Sequence, residues 1–223
     1  MIISQKKPFE EVLKFLKDSK KVVVTGCSEC ATVCKVGGEE ELQAMKELLE
    51  TEGKEVLASI VLEPACNLLN TKKDLKKLKD ELSSADAVLS LSCGDGTQTV
   101  AKVVKSAVYP GTDTMFIGEI ERIGQFEEAC RACGECELGW TASICPITKC
   151  AKGLINGPCG GAKNKKCEVS SDNDCAWLLI FEKLKESGQL ANMMELREPK
   201  DFAKGNSPRR INLKDQSKET VEA

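Results

Sequence analysis

Two rhythms of apolar residues alternate along the first half of the chain, one with the spacing of a helix face and one with the density of a buried strand. Residues 8–19, PFEEVLKFLKDS, place Phe9, Val12, Leu13 and Leu16 at helical spacing, with Pro8 tolerated in the first turn. KKVVVTGC is a β-branched run ending on Gly26 and Cys27 and reads as a buried strand. GGEEELQAMKELLETEGK sets Leu42, Met45, Leu48 and Leu49 on one helix face and closes at Gly53, and EVLASIVLEPAC is a second strand. NTKKDLKKLKDELSS reads as a helix with a solvated lysine face, ADAVLSLSC as a third strand, and GDGTQTVAKVVKSA as a loop and helix. SAVYPG and TDTMFIGE supply one further short strand or edge.

Strand and helix in alternation predict an α/β fold, a Rossmann-like parallel sheet over residues 1–125. Right-handed crossovers bring the carboxyl ends of all its strands to one edge. Cys27, Cys30 and Cys34 follow the first strand, Cys66 the second and Cys93 the third. Ligands of open parallel sheets bind at that edge, where the strand order reverses. The five thiols are therefore expected to converge there, the plainer reading being that Cys66 and Cys93 fill small core spaces.

The pattern changes after residue 126. Residues 126–190 hold eight cysteines, Cys130, Cys133, Cys136, Cys145, Cys150, Cys159, Cys167 and Cys175, with little apolar periodicity before the helix in DCAWLLIFEKLKESGQL. So few apolar residues bury little core, and cross-links must make up the difference. This span is expected to be a cysteine-rich, irregular metal-binding module, followed by a polar tail over 191–223 that runs over a surface or a partner.

Composition narrows the chemistry. The 223 residues include 13 cysteines and no histidine, with a net charge of -3 and 4% aromatic residues. The first 21 residues lack the apolar core of a signal peptide, and no apolar run is long enough to cross a bilayer, so a cytoplasmic protein without membrane insertion is expected. Thiols stay reduced in that compartment, which points to metal rather than disulfides. Without histidine, any site is built from thiolates, suiting tetrahedral zinc or iron–sulfur clusters. Few aromatic platforms and an acidic balance argue against nucleic acid as a partner.

Cys27, Cys30 and Cys34 form C-x2-C-x3-C, to which Cys93 or Cys66 would add the fourth ligand of a 4Fe–4S cluster; zinc and a redox dithiol remain open. Cys130, Cys133, Cys136 and Cys145, the last before Pro146, partly match the bacterial ferredoxin run. Cys150, Cys159, Cys167 and Cys175 make a further four, so the eight thiols give two clusters, or one cluster and one zinc, with the division open because ligands can interleave between sites. Gly94-Asp95-Gly96 before a helix offers a phosphate cradle or simply a turn, and SPRRI an anion site or a solvated charge pair.

CPITKCAKGLINGPCGG and the following CEV…CAW, with TGCSECATVCKVGGEEE before them and PKDF…SPRRI after, resemble the iron–sulfur small subunit of bacterial methylenetetrahydrofolate reductase over nearly the whole chain. The resemblance implies a non-catalytic electron-transfer subunit with two or more 4Fe–4S clusters. Electrons would come from ferredoxin or a larger redox complex and pass to the FMN of a flavin-bearing catalytic subunit in one-carbon metabolism. The alternatives are a zinc-thiolate scaffold for that partner and a zinc-thiolate methyl-transfer enzyme.

Overall fold

The computed structural model describes residues 1–212 and divides into two compact units, Met1–Glu128 and the chain from Ala129 onward. The last residues of the expected tail, 213–223, lie outside the described residues.

The first unit runs β1 (Ile2–Lys6), α1 (Phe9–Phe15), β2 (Lys21–Cys27), α2 (Cys30–Val33), α3 (Glu39–Thr51), β3 (Glu55–Leu62), α4 (Leu68–Leu75), α5 (Lys79–Ser84), β4 (Ala87–Ser90), α6 (Gly94–Ala101), β5 (Ala107–Pro110) and β6 (Thr112–Arg122), with β7 (Gln125–Cys130) at the boundary. A four-stranded sheet in the order β3-β2-β4-β5 is parallel throughout. Alternation along β2 explains its layers. Val22 and Val24 face a cluster with Val12, Leu16, Leu42 and Leu49 from α1 and α3, while Val23 faces one with Leu62, Leu75, Val88 and Val100 on the other side. Pro110 ends β5 at the sheet edge, where a missing backbone donor does least harm.

The α/β character and the parallel sheet are as expected; the far end of the domain is not. TDTMFIGE is no edge of the parallel sheet but part of the long β6, the centre of a second, antiparallel sheet in the order β1-β6-β7. Gly111 makes the transfer possible, because a Cβ there would stand 2.3 Å from the Leu91 side chain. Strand β6 is mostly exposed, so no apolar alternation marked it in the sequence.

Local chemistry also trims several elements. Pro64 and an Asn67 cap, whose side chain accepts from the Leu69 and Asn70 amides, end β3 early and restart the chain as α4. Helix α6 begins directly at Gly94, with Cys93 as its cap residue.

The second unit contains α7 (Pro146–Lys149) and α8 (Ala176–Glu186) among irregular chain. Its core is small: Trp177, Ile180 and Leu184 are buried, with Ile144, Cys150, Leu154 and Cys175 packed against them. The Trp177 indole donates to the Leu154 carbonyl at 2.9 Å, joining α8 to the loop before it.

Candidate metal centres

Strand order reverses between β2 and β4, and the cysteines of the first unit sit at that edge. Cys27 ends β2, Cys30 opens α2, Cys34 closes it, Cys66 follows β3, and Cys93 caps α6. Backbone packing fixes the loop that carries three of them. The Cys27 amide donates to the Gly37 carbonyl at 2.9 Å, and the Thr32 hydroxyl donates to the Cys27 carbonyl at 2.7 Å.

The thiols lie within electrostatic reach of one another. Burial pushes the Cys34 thiol above its ordinary range, and the charges of Cys30 and Cys93 add to this. Burial likewise pushes Cys66 up, with the Asp95 carboxylate, Cys27 and Cys93 contributing. The two sets share Cys93, so all five thiols belong to one neighbourhood. Cys66 is exposed and Cys93 half-buried, so neither fills a core space; Cys27 is the one buried among core residues. The phosphate cradle at Gly94 is partly occupied by protein, since the Gly94 amide donates to the Thr114 hydroxyl at 2.8 Å.

In the second unit, Cys150, Cys159, Cys167 and Cys175 line one cavity of about 20 Å³ together with Lys149, Lys152, Glu168 and Trp177. A hairpin brings them round: Lys163 and Lys166 exchange backbone hydrogen bonds across Asn164 and Lys165, both in the left-handed region at φ 50 and 66. The Cys167 amide then donates to the Asn173 carbonyl, and the Cys175 amide to the Lys165 carbonyl. Lys152 pairs with Glu168 at the cavity wall; that pair lowers the Glu168 carboxyl and raises the Lys152 ammonium, with the charges of Cys159 and Cys167 adding to the latter.

Cys130, Cys133, Cys136 and Cys145 sit on looser chain. Cys130 and Cys136 are exposed, Cys133 and Cys145 half-buried. The Ala132 amide donates to Cys130 Sγ at 3.3 Å, with Ala132 at φ 49 and Gly134 at φ 81 turning the C-x2-C loop back on its own sulfur. Backbone N–H···S contacts of this kind orient and electronically tune thiolate ligands.

A brace that the sequence did not reveal holds this loop. Arg197 stacks on Trp140 at 4.3 Å and pairs with Glu137 at 3.1 Å, while the Arg197 amide and carbonyl are both bonded to the Asn156 side chain. Lys200 reaches the Glu135 carbonyl and the Glu137 carboxylate; the Lys200 and Glu137 side chains are 2% and 4% exposed. Arg209, from the SPRRI stretch, donates to the Ala132 carbonyl at 2.7 Å and so acts as a clamp on the cysteine loop. Lys200→Met removes one of the two cations beside buried Glu137 and the donor to the Glu135 carbonyl, so it is expected to destabilise this unit by about 1–3 kcal/mol. Both tryptophans, Trp140 and Trp177, lie in this unit, so denaturant unfolding followed by their fluorescence reads it directly. Adding Glu137→Gln should restore part of the loss, and an unchanged midpoint in the single variant would refute the role.

Among the described residues, no three Cys, Asp or Glu side chains are gathered tightly enough to grip a single ion. The structure places the five N-terminal thiols in one neighbourhood and four C-terminal thiols around one cavity. It gives no shared contact for the set Cys130, Cys133, Cys136 and Cys145. The donor sets themselves fit thiolate-bound metal: sulfur alone, deprotonated on binding, with amides already directed at Cys30 and Cys130.

Residues 109–203 match the family model described as Methylene-tetrahydrofolate reductase C terminal. That span, which holds all eight C-terminal cysteines, is thus similar to the C-terminal region of methylenetetrahydrofolate reductases; residues 1–108 lie outside the match. No curated protein matches the chain. No helix among the described residues is long and apolar enough to cross a membrane.

Proposed function

We propose that this chain is an electron-transfer subunit that associates with a flavin-bearing methylenetetrahydrofolate reductase and feeds electrons to its flavin through iron–sulfur clusters. The observation that carries the reading is that Cys27, Cys30, Cys34 and Cys93 all lie at the carboxyl edge of the parallel sheet, by its switch point, in a chain similar over 109–203 to the C-terminal region of that reductase. Cys93 is the preferred fourth ligand because it neighbours both Cys34 and Cys66 and caps α6, whose N-terminus favours negative charge. Cys66 is exposed and lies beside Asp95, a poorer setting for an anionic cluster.

A bound cluster would supply one-electron transfer; the chain's own work is to hold it, direct amides at its sulfurs and limit water around it. Cys130, Cys133, Cys136 and Cys145 would hold a second cluster. One observation favours zinc at the remaining four. A cavity of about 20 Å³ has room for little more than one water-sized body, which suits a single tetrahedral ion better than a cube of four irons.

The test is iron, sulfide and zinc content with redox spectroscopy on anaerobically prepared full chain. Two clusters and one zinc per chain are expected, with visible absorbance that bleaches on reduction. A colourless protein carrying zinc alone would support the scaffold reading and overturn this one. Methyl transfer by the chain without a partner would instead support the enzymatic alternative.

A further inference from the structure

Strand β1 lies at one edge of the antiparallel sheet, so half of its backbone groups point away from β6. Pairing shows which half. Lys7 donates to Gly111, and the Ile3 and Gln5 positions fall in the same alternation, leaving Ile2 and Ser4 directed outward. The outward groups of Ile2 meet sulfur. The Ile2 amide donates to Cys30 Sγ at 3.4 Å, and the Ile2 carbonyl accepts from the Cys34 thiol at 3.8 Å. The Ser4 amide, the other outward donor of the strand, opposes the rise that burial imposes on the Cys34 thiol. Ser4 itself is buried, and its hydroxyl has no partner, so the side chain contributes little that would hold the strand here.

We infer that the free edge of β1 is the hydrogen-bonding wall of the N-terminal centre, its Ile2 and Ser4 amides donating to the sulfurs of Cys30 and Cys34 and raising the reduction potential of the cluster they hold. This rests on the electron-transfer reading above. Reduction adds negative charge to a thiolate-bound cluster, and an N–H directed at sulfur stabilises that charge. A strand edge supplies such donors at a spacing of two residues, which Cys30 and Cys34, four apart and one helical turn from each other, can meet together.

Proline removes these amides one at a time without touching the ladder to β6, and edge strands tolerate it. Ile2→Pro and Ser4→Pro, made in the full chain, should each lower the midpoint of the N-terminal cluster, identified by its loss in Cys30→Ser. The expected change is about tenfold in the oxidised-to-reduced ratio at the native midpoint, or about 59 mV for one electron. Ile2→Ala and Ser4→Ala keep the amides and should leave the midpoint in place.

If the proline variants fail to fold, the native protein still decides. Its reduced cluster should show strongly coupled protons that exchange in D2O by electron–nuclear double resonance. Full iron content with no such protons, or with midpoints unmoved in both proline variants, would overturn the inference alone. Absence of iron from the N-terminal site would overturn the electron-transfer reading with it.

Discussion

Serine in place of Cys167 is expected to empty the C-terminal four-cysteine site and unfold the chain around it, while the parallel-sheet domain stays folded. The first unit buries two apolar clusters on opposite faces of its sheet, whereas the apolar cluster of the second is centred on Trp177, Ile180 and Leu184. Two of the four thiols, Cys150 and Cys175, pack directly against that small core, and Cys175 caps α8, which carries it. A site of this kind contributes on the order of 10 kcal/mol when its metal binds, more than three buried side chains worth about 2–3 kcal/mol each supply together. Tryptophan fluorescence and limited proteolysis check the result. Trp140 and Trp177 should lose their native environment, and cleavage should fall after residue 129. A variant with full metal content and unchanged protease resistance would show that Cys167 is no ligand.

An alanine at position 37 is expected to cost at least about 3 kcal/mol and to empty the N-terminal site. A Cβ on Gly37 would stand 1.7 Å from the Leu91 carbonyl oxygen, a backbone atom that cannot rotate away. Gly26 is as tightly placed, its Cβ position lying 2.2 Å from the Gly37 carbonyl oxygen. These two glycines let the segment from Cys30 to Gly37 lie against the ends of β2 and β4, the edge that carries Cys27 and Cys93. Overpacking a tight core costs about 1–3 kcal/mol even when side chains can adjust, and here the obstacle is main chain. Gly53→Ala is the comparison: its φ is 75, but nothing lies within 4 Å, so about 1 kcal/mol of left-handed strain is all it should cost. Chemical denaturation with iron analysis separates them. Equal midpoints for the two variants would refute the close-packing account.

The parallel sheet was legible because its signal is local and redundant. Val22, Val23 and Val24 announce a strand buried on both faces, and the Leu42–Leu49 face announces the helix that covers one of them. Topology alone placed the N-terminal cysteines at one sheet edge, since every parallel strand ends there. The second sheet was not legible. Its central strand is exposed along most of its length, and β1 is five residues whose outward groups are satisfied by sulfur rather than by a neighbouring strand. The brace was hidden for another reason. Glu137, Arg197 and Lys200 read as ordinary surface charges until residues 60 or more apart are brought together. Spacing did pick out Cys150, Cys159, Cys167 and Cys175 as a set, and the shared cavity is where the structure puts them.

The Arg209 clamp has a consequence for the order of events during synthesis. Its contact with Ala132 joins positions 77 residues apart, so the first cysteine loop leaves the ribosome well before the residue that secures it. At ~5–20 residues per second the interval is roughly 4 to 15 s. Through that time Cys130, Cys133 and Cys136 are on nascent chain with their brace still unmade, open to oxygen and to any metal at hand. If this loop holds a cluster as proposed, delivery of its metal is a task with a deadline, and slow translation between Cys136 and Arg209 would lengthen the exposure.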